Sequence, residues 1–128
     1  PAVNVVAVET EGADALARSL AAGEPVTIEP TSIAKTLGSP YAAEAIIELA
    51  TNRLADVAVV SDEAAVEALR FIAERLKVIV EPAASCTLAA ADTWRDRFGP
   101  GDKVVLLLCG GNVSLSDIAE WERRFATG

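Results

Sequence analysis

Val104-Val105-Leu106-Leu107-Leu108-Cys109-Gly110-Gly111-Asn112 decides how the rest of the chain is read. An unbroken apolar run passes directly into a thiol, two glycines and an amide. A run of this kind, bounded by turn residues, predicts a parallel strand buried on both faces. In open α/β sheets, ligands bind just outside the carboxyl ends of such strands, and glycines at that point let backbone approach a ligand closely. Cys109 is therefore either a ligand contact at a sheet edge or an ordinary buried thiol before a loop. The local pattern supports both.

The flanking sequence alternates between strand and helix signals. Asn4–Val8 is a short apolar strand ending at Glu9, and Ala13–Ala22 is helical in composition and stops at Gly23. Glu24–Pro30 is extended or irregular, and Ile33–Leu37 is a helical turn closed by Gly38-Ser39-Pro40. Tyr41–Ala50 reads as a helix whose apolar face carries Ala42, Ala45, Ile46 and Leu49. Asp56–Val60 is the next strand. Ser61 caps a helix through Leu76, with Asp62 and Glu63 complementing its positive end. Val78–Val80 is a third strand, ending at Glu81. Pro82 suits a first helical turn, and the helix from Ala83 to about Arg97 opens on small residues, Ala83-Ala84-Ser85-Cys86, that permit close approach of a ligand or of another backbone. Ser114-Leu115-Ser116-Asp117 has the form of a capping box for a last helix, with Ile118, Trp121 and Phe125 facing the core. The order β-α-α-β-α-β-α-β-α implies an α/β fold with helices packed on a parallel sheet.

Composition narrows the function classes. The 128 residues suit one domain. They are 52% hydrophobic with a mean hydropathy of +0.33, rich enough to predict some apolar surface covered by another chain or domain. A net charge of -8 without a basic stripe argues against nucleic acid as partner. No apolar run is long enough to span a membrane, and no signal peptide is recognisable. Two cysteines, Cys86 and Cys109, make no disulfide framework, which predicts a reduced, cytoplasmic setting. The absence of histidine excludes His-based triads and His metal sites. The Gly110-Gly111 pair lacks dinucleotide-fingerprint spacing, and there is no P-loop. Glu9, Glu81 and Cys109 all end strands, so a parallel sheet would bring them to one edge. Each glutamate there is either part of a site or a solvated strand terminus. Pro1 either follows a removed initiator Met or marks a chain cut from a longer one.

Five segments carry a resemblance: Val8-Glu9-Thr10-Glu11-Gly12-Ala13, Ser32-Ile33-Ala34-Lys35-Thr36-Leu37-Gly38, Val59-Val60-Ser61-Asp62-Glu63-Ala64, Val80-Glu81-Pro82-Ala83 and Cys109-Gly110-Gly111-Asn112-Val113-Ser114-Leu115. In this order and spacing they resemble the serine/threonine dehydratases, pyridoxal-phosphate enzymes of the tryptophan synthase β-like fold (fold type II). The ending with Cys109 is most similar to the L-serine dehydratase branch, since threonine dehydratases and serine racemases usually carry Ser there. The resemblance implies a three-layer parallel-sheet sandwich, of which residues 1–128 form the carboxyl-terminal portion of the cofactor-binding catalytic domain. The family's Schiff-base lysine and its glycine-rich phosphate loop lie in the amino-terminal portion. Lys35, Lys77 and Lys103 are the only lysines here and none has the catalytic context. No catalytic residue is therefore expected on this chain, and the chain alone is expected to be inactive.

The same resemblance implies the site. Cys109 stands beside the pyridine nitrogen of pyridoxal 5'-phosphate, Gly110 and Gly111 shape the loop next to the ring, Asn112 braces that loop, and Ser85 belongs to the small-residue helix start near the cofactor. A thiol is mostly neutral at pH 7. Unlike a carboxylate it does not hold the pyridine protonated, which suits elimination of water. Glu9 and Ala13 match positions that hold a cation, through a side chain and a backbone oxygen respectively. Ala15 stands where divalent-binding relatives offer a carboxylate, which implies a monovalent ion such as potassium. Implied partners are the amino-terminal portion of the same enzyme, an amino-acid substrate and a second copy in a homodimer. The implied reaction is ammonia-lyase chemistry on L-serine or L-threonine, giving a 2-oxo acid and ammonia. Serine racemase, or a dehydratase of another hydroxy amino acid, keeps the family and changes the reaction. A non-catalytic α/β ligand-binding module is the remaining alternative.

Overall fold

A computed structural model describes residues 3–125; Pro1 lies outside them. Strand β1 (Val5–Thr10) pairs in parallel with β2 (Leu54–Val60), in register from Val6 opposite Asp56 to Thr10 opposite Val60. Between them lie α1 (Ala15–Ala22), a 3-10 turn (Lys35–Leu37) and α2 (Glu44–Arg53). After β2 come α3 (Asp62–Leu76), α4 (Pro82–Thr93), a second 3-10 turn (Arg95–Arg97) and α5 (Leu115–Arg124). The β1–helices–β2 order with a parallel pair is the crossover unit of an α/β fold.

Helix ends follow the chemistry of their sequence. Gly23 closes α1 in the left-handed region (φ 73), donating its N–H to Ser19 O. Ser61 Oγ accepts from Ala64 N at 3.1 Å and starts α3. Ser114 and Asp117 form a complete capping box on α5: Ser114 Oγ accepts from Asp117 N at 3.1 Å, and Asp117 Oδ2 accepts from Ser114 N at 3.0 Å. Pro82 occupies the first turn of α4.

The core lies where α3 and α4 pack on β2. Ala65 and Ala68 of α3 meet Cys86, Ala89 and Ala90 of α4 beneath Ala58 and Val60. Side chains this small let the helix axes approach, so closely that the buried Ser85 hydroxyl donates to Ala65 O at 2.6 Å. The small residues at the start of α4 thus serve the approach of another backbone. A second cluster joins Leu69, Ile72, Val80 and Ala84, with Leu108, Ile118 and Trp121 packed against it.

Several expectations are corrected. Val104–Leu108 and Val78–Val80 are extended but belong to no ladder among the described residues. Nor is the Val104 run buried on both faces: Leu106 and Leu108 are half-buried, whereas Val105 is 88% and Leu107 70% exposed. The chain covers one side of this segment, through the second core cluster, and leaves the other open. Helix α2 begins at Glu44, and Ile46 and Leu49 of its expected inner face are exposed while Ala50 is buried. Helix α4 ends at Thr93, short of Arg97, where a 3-10 turn takes over. Leu76, read as part of the buried stripe of α3, is exposed.

Candidate functional site

The carboxyl ends of the extended segments converge. Glu81 N donates to Gly110 O at 3.0 Å, joining the end of Val78–Val80 to the end of Val104–Leu108. Cys109 is exposed at this junction and carries a free thiol. Gly110 touches the Glu81 side chain so closely that a Cβ there would fall 2.0 Å from Glu81 Oε1, and a Cβ on Gly111 would stand 3.3 Å from Ile79 O. Val113 N donates to Gly111 O at 2.8 Å, which folds the turn back towards α5.

A polar network runs along the same edge from β1. The fully buried Thr10 hydroxyl shares a hydrogen bond of 2.8 Å with Ser32 Oγ. Asp62 accepts from Ser32 Oγ at 2.5 Å and from Ile33 N at 3.1 Å. Ser32 Oγ also accepts from Ala34 N at 3.0 Å. The segment so held presents Thr36, whose hydroxyl donates to Glu81 Oε2 at 2.8 Å. Glu81 is the N-cap residue of α4, yet its side chain caps nothing and turns to Thr36 and Gly110. Thr36, Ser32 and Asp62 were not legible as site-shaping residues. Asp62 reads as a complement to the helix dipole, and its long-range role depends on a loop that closes on it from thirty residues away.

At the other end of the edge, Glu9 caps α1. Its Oε1 accepts from Leu16 N at 3.1 Å and its Oε2 from Ala17 N at 2.8 Å. Burial raises the Glu9 pKa above its ordinary value; the two amides oppose this, and the nearby Asp14 charge adds to it. Asp14 Oδ2 pairs with Arg18 Nε at 2.9 Å, while Asp14 Oδ1 is buried without a partner. Ala13 is buried beside them. Among the described residues no group of three His, Cys, Asp or Glu side chains is placed to hold a metal. The second cysteine, Cys86, is buried in the core, where desolvation and then the neighbouring Cys109 push its thiol up to about 11. It is an inert packing residue.

Glu81, Cys109 and the polar segment from Thr10 to Thr36 therefore occupy one continuous edge. The exposed Cys109 thiol stands at the open end of this edge, while the space beside Gly110 is taken by the Glu81 side chain and that beside Gly111 by Ile79 O. Ser85 contributes no free hydroxyl there, since its donor goes to Ala65 O. Lys35, Lys77 and Lys103 are all exposed.

This parallel α/β arrangement matches part of the fold of the fold type II pyridoxal-phosphate enzymes, which are its structural neighbours. The sequence profile of the family described as pyridoxal-phosphate dependent enzyme matches residues 1–110, and the chain belongs to that family. It is 36% identical over 118 residues to an L-serine dehydratase of Saccharomyces cerevisiae, covering 86% of this chain and 35% of that protein. It is 34% identical to a phenylserine dehydratase of Ralstonia pickettii, covering 100% of this chain and 39% of that protein. Among solved structures it superposes on a fungal L-serine ammonia-lyase from Rhizomucor miehei with a TM-score of 0.85 and 34% identity, covering 96% of this chain and 41% of that one. The chain thus spans well under half the length of each of these three proteins.

Proposed function

We propose that residues 1–128 form the carboxyl-terminal portion of the catalytic domain of a pyridoxal-phosphate-dependent L-serine/L-threonine ammonia-lyase, which eliminates water from the hydroxy amino acid and yields a 2-oxo acid and ammonia. The observation that carries this reading is the exposed Cys109 thiol beside Gly110 and Gly111, at the polar edge of a chain whose relatives include serine and phenylserine dehydratases. When bound, the cofactor supplies the electron sink for the elimination. Cys109 faces its ring nitrogen, Gly110 and Gly111 shape the turn beside the ring, and Ser85, whose hydroxyl donates to Ala65 O, belongs to the start of α4 near the cofactor. The amino-terminal portion of the enzyme brings the catalytic lysine, the phosphate-binding loop and the contacts to the substrate carboxylate. A homodimer in the cytoplasm completes the reading.

A monovalent cation such as potassium belongs to the Glu9–Ala13 corner. The orphaned Asp14 Oδ1 supports this, because a buried carboxylate oxygen without a partner favours a cation beside it. Because both Glu9 oxygens already accept from helix amides, backbone oxygens such as that of Ala13 complete the shell. Potassium chloride should raise the Tm of the intact protein above that in tetramethylammonium chloride of equal strength, and E9A should remove the difference. An equal Tm in both salts counts against the cation.

The activity test uses the intact protein. With L-serine or L-threonine it should release pyruvate or 2-oxobutanoate and show a cofactor absorbance band. A cofactor-loaded enzyme giving D-serine as its main product would replace the lyase with a racemase. The chain alone should be inactive, and turnover of serine by residues 1–128 at verified mass would overturn the division of labour.

A further inference from the structure

We propose that Thr36 and Glu81 form a positioning pair that fixes the Cys109–Gly111 turn against the cofactor ring, with Thr36 orienting the carboxylate and the carboxylate supporting the turn. This rests on the proposal that Cys109 faces the cofactor.

Three independent features lead to it. First, Glu81 has an ordinary task available and does not perform it. As the N-cap of α4 its side chain is next to free helix amides, yet it accepts from none of them and extends to the Thr36 hydroxyl at 2.8 Å. Second, the carboxylate lies in contact with the turn. Only the missing side chain of Gly110 allows this approach, since a Cβ there would sit 2.0 Å from Oε1, 2.9 Å from the carboxyl carbon and 3.3 Å from Cγ. The backbone of the same residue pair is tied by Glu81 N to Gly110 O at 3.0 Å, so side chain and main chain of Glu81 grip one peptide from two sides. Third, Thr36 is itself held. Ile33 N and Ser32 Oγ are anchored on Asp62, Ala34 is buried, and Leu37 packs against the first core cluster. A hydroxyl on a loose loop would not orient a carboxylate; one carried on a segment pinned on both sides does. The connection runs from Thr10 in β1 through Ser32 and Asp62, along the backbone from Ile33 to Thr36, and on to Glu81 and Gly110. Displacement at Thr36 therefore reaches the residue beside Cys109 without touching the thiol.

The test uses T36V, which keeps shape and removes the donor, and T36S, which restores it, in the intact protein. In the cofactor-free form, hydrogen exchange read by mass spectrometry should rise roughly threefold to tenfold at the Glu81 and Val113 amides, which donate to Gly110 O and Gly111 O, in T36V, the scale of losing one exposed hydrogen bond. Exchange in α3 should stay unchanged, and T36S should return these two amides to wild-type rates. In the loaded form, T36V should shift the cofactor's fluorescence and lower kcat about threefold to tenfold with KM within twofold. Unchanged exchange at the Glu81 and Val113 amides in T36V, or failure of T36S to restore it, overturns the pair. An exchange rise without any change in cofactor fluorescence or kcat also overturns it, because the contact would then be merely structural. If wild type itself binds no cofactor, the proposed function fails, and the cofactor-free exchange result still decides whether Thr36 positions the turn.

Discussion

Gly12 and Ser114 show how single side chains, or their absence, set the geometry of this edge. Gly12 has φ +80, and a Cβ on it would stand 2.2 Å from Thr31 Oγ1 and 3.1 Å from Ser32 N. The second contact is to backbone, which cannot swing aside. Gly12→Ala should therefore cost about 1–3 kcal/mol from strain and overpacking, read as a fall in Tm. Because Thr31 N also donates to Gly12 O at 2.9 Å, the strain falls on the segment that leads to Ser32 and Thr36. At Ser114, the hydroxyl donates to Asp117 Oδ2 at 2.6 Å and, with the Ser114 amide, holds the Asp117 carboxyl below its ordinary value of 3.8. A depressed carboxyl stabilises the fold above its unfolded pKa and loses that contribution as pH falls through the folded value. The deficit in Tm of Ser114→Ala relative to wild type should be full at neutral pH and shrink as pH drops below 3.8. A deficit that stays constant through that range would show the capping box acting only through the Asp117 amide.

At the scale of elements, helix starts with a capping serine are legible, at Ser61 for α3 and Ser114 for α5, whereas α2 starts at Glu44 and α4 stops at Thr93 without a capping side chain to mark the end. Ser61 is the case with the greatest consequence, because α3 carries Ala65, Leu69 and Ile72 into both core clusters. Ser61→Ala removes the acceptor for Ala64 N and should destabilise the protein by about 1 kcal/mol, measured as a shift of the denaturation midpoint. A shift near zero would mean that Asp62 and Glu63 at the helix start compensate fully. Faces were less legible than ends. The periodicity of Ala42, Ala45, Ile46 and Leu49 identifies an apolar stripe but not what covers it, and in the described residues α2 turns Ile47 and Ala50 inward instead. The Val104 run has the same ambiguity. Continuous hydrophobicity distinguishes a strand covered on both sides from an exposed one only when all covering elements are present. The site was legible in part for a related reason. Cys109, Gly110 and Glu81 lie at segment ends that a parallel order brings together, whereas Thr36 and Asp62 depend on the path of an irregular loop, which no periodicity encodes.

For the whole molecule, the open side of the Val104–Leu108 segment bears most directly on how this chain would sit in the proposed enzyme. Val105 and Leu107 project from the side opposite Leu106 and Leu108, and Val78 and Ile79 are exposed in the adjoining segment. Side chains of this size gain about 1.5–3 kcal/mol each on full burial, so an apolar patch spread over both segments is a large unfavourable surface to leave in water. A chain spanning 35% of the yeast L-serine dehydratase and 41% of the fungal L-serine ammonia-lyase has a natural occupant for that surface in the amino-terminal portion of the proposed enzyme. Hydroxyl-radical footprinting provides the measurement. In the intact protein, Leu107 and Ile79 should be modified several-fold more slowly than in residues 1–128 expressed alone, while Leu49 on α2 serves as an internal comparison from another face. Leu107→Asp should then weaken recovery of a cofactor-binding enzyme from separately produced amino-terminal and carboxyl-terminal portions, because it buries an unpaired charge in the contact. Equal modification of Leu107 in both forms would mean that the open side faces solvent in the intact protein as well, and the partner would have to be sought on the α2 face, where Ile46 and Leu49 are exposed.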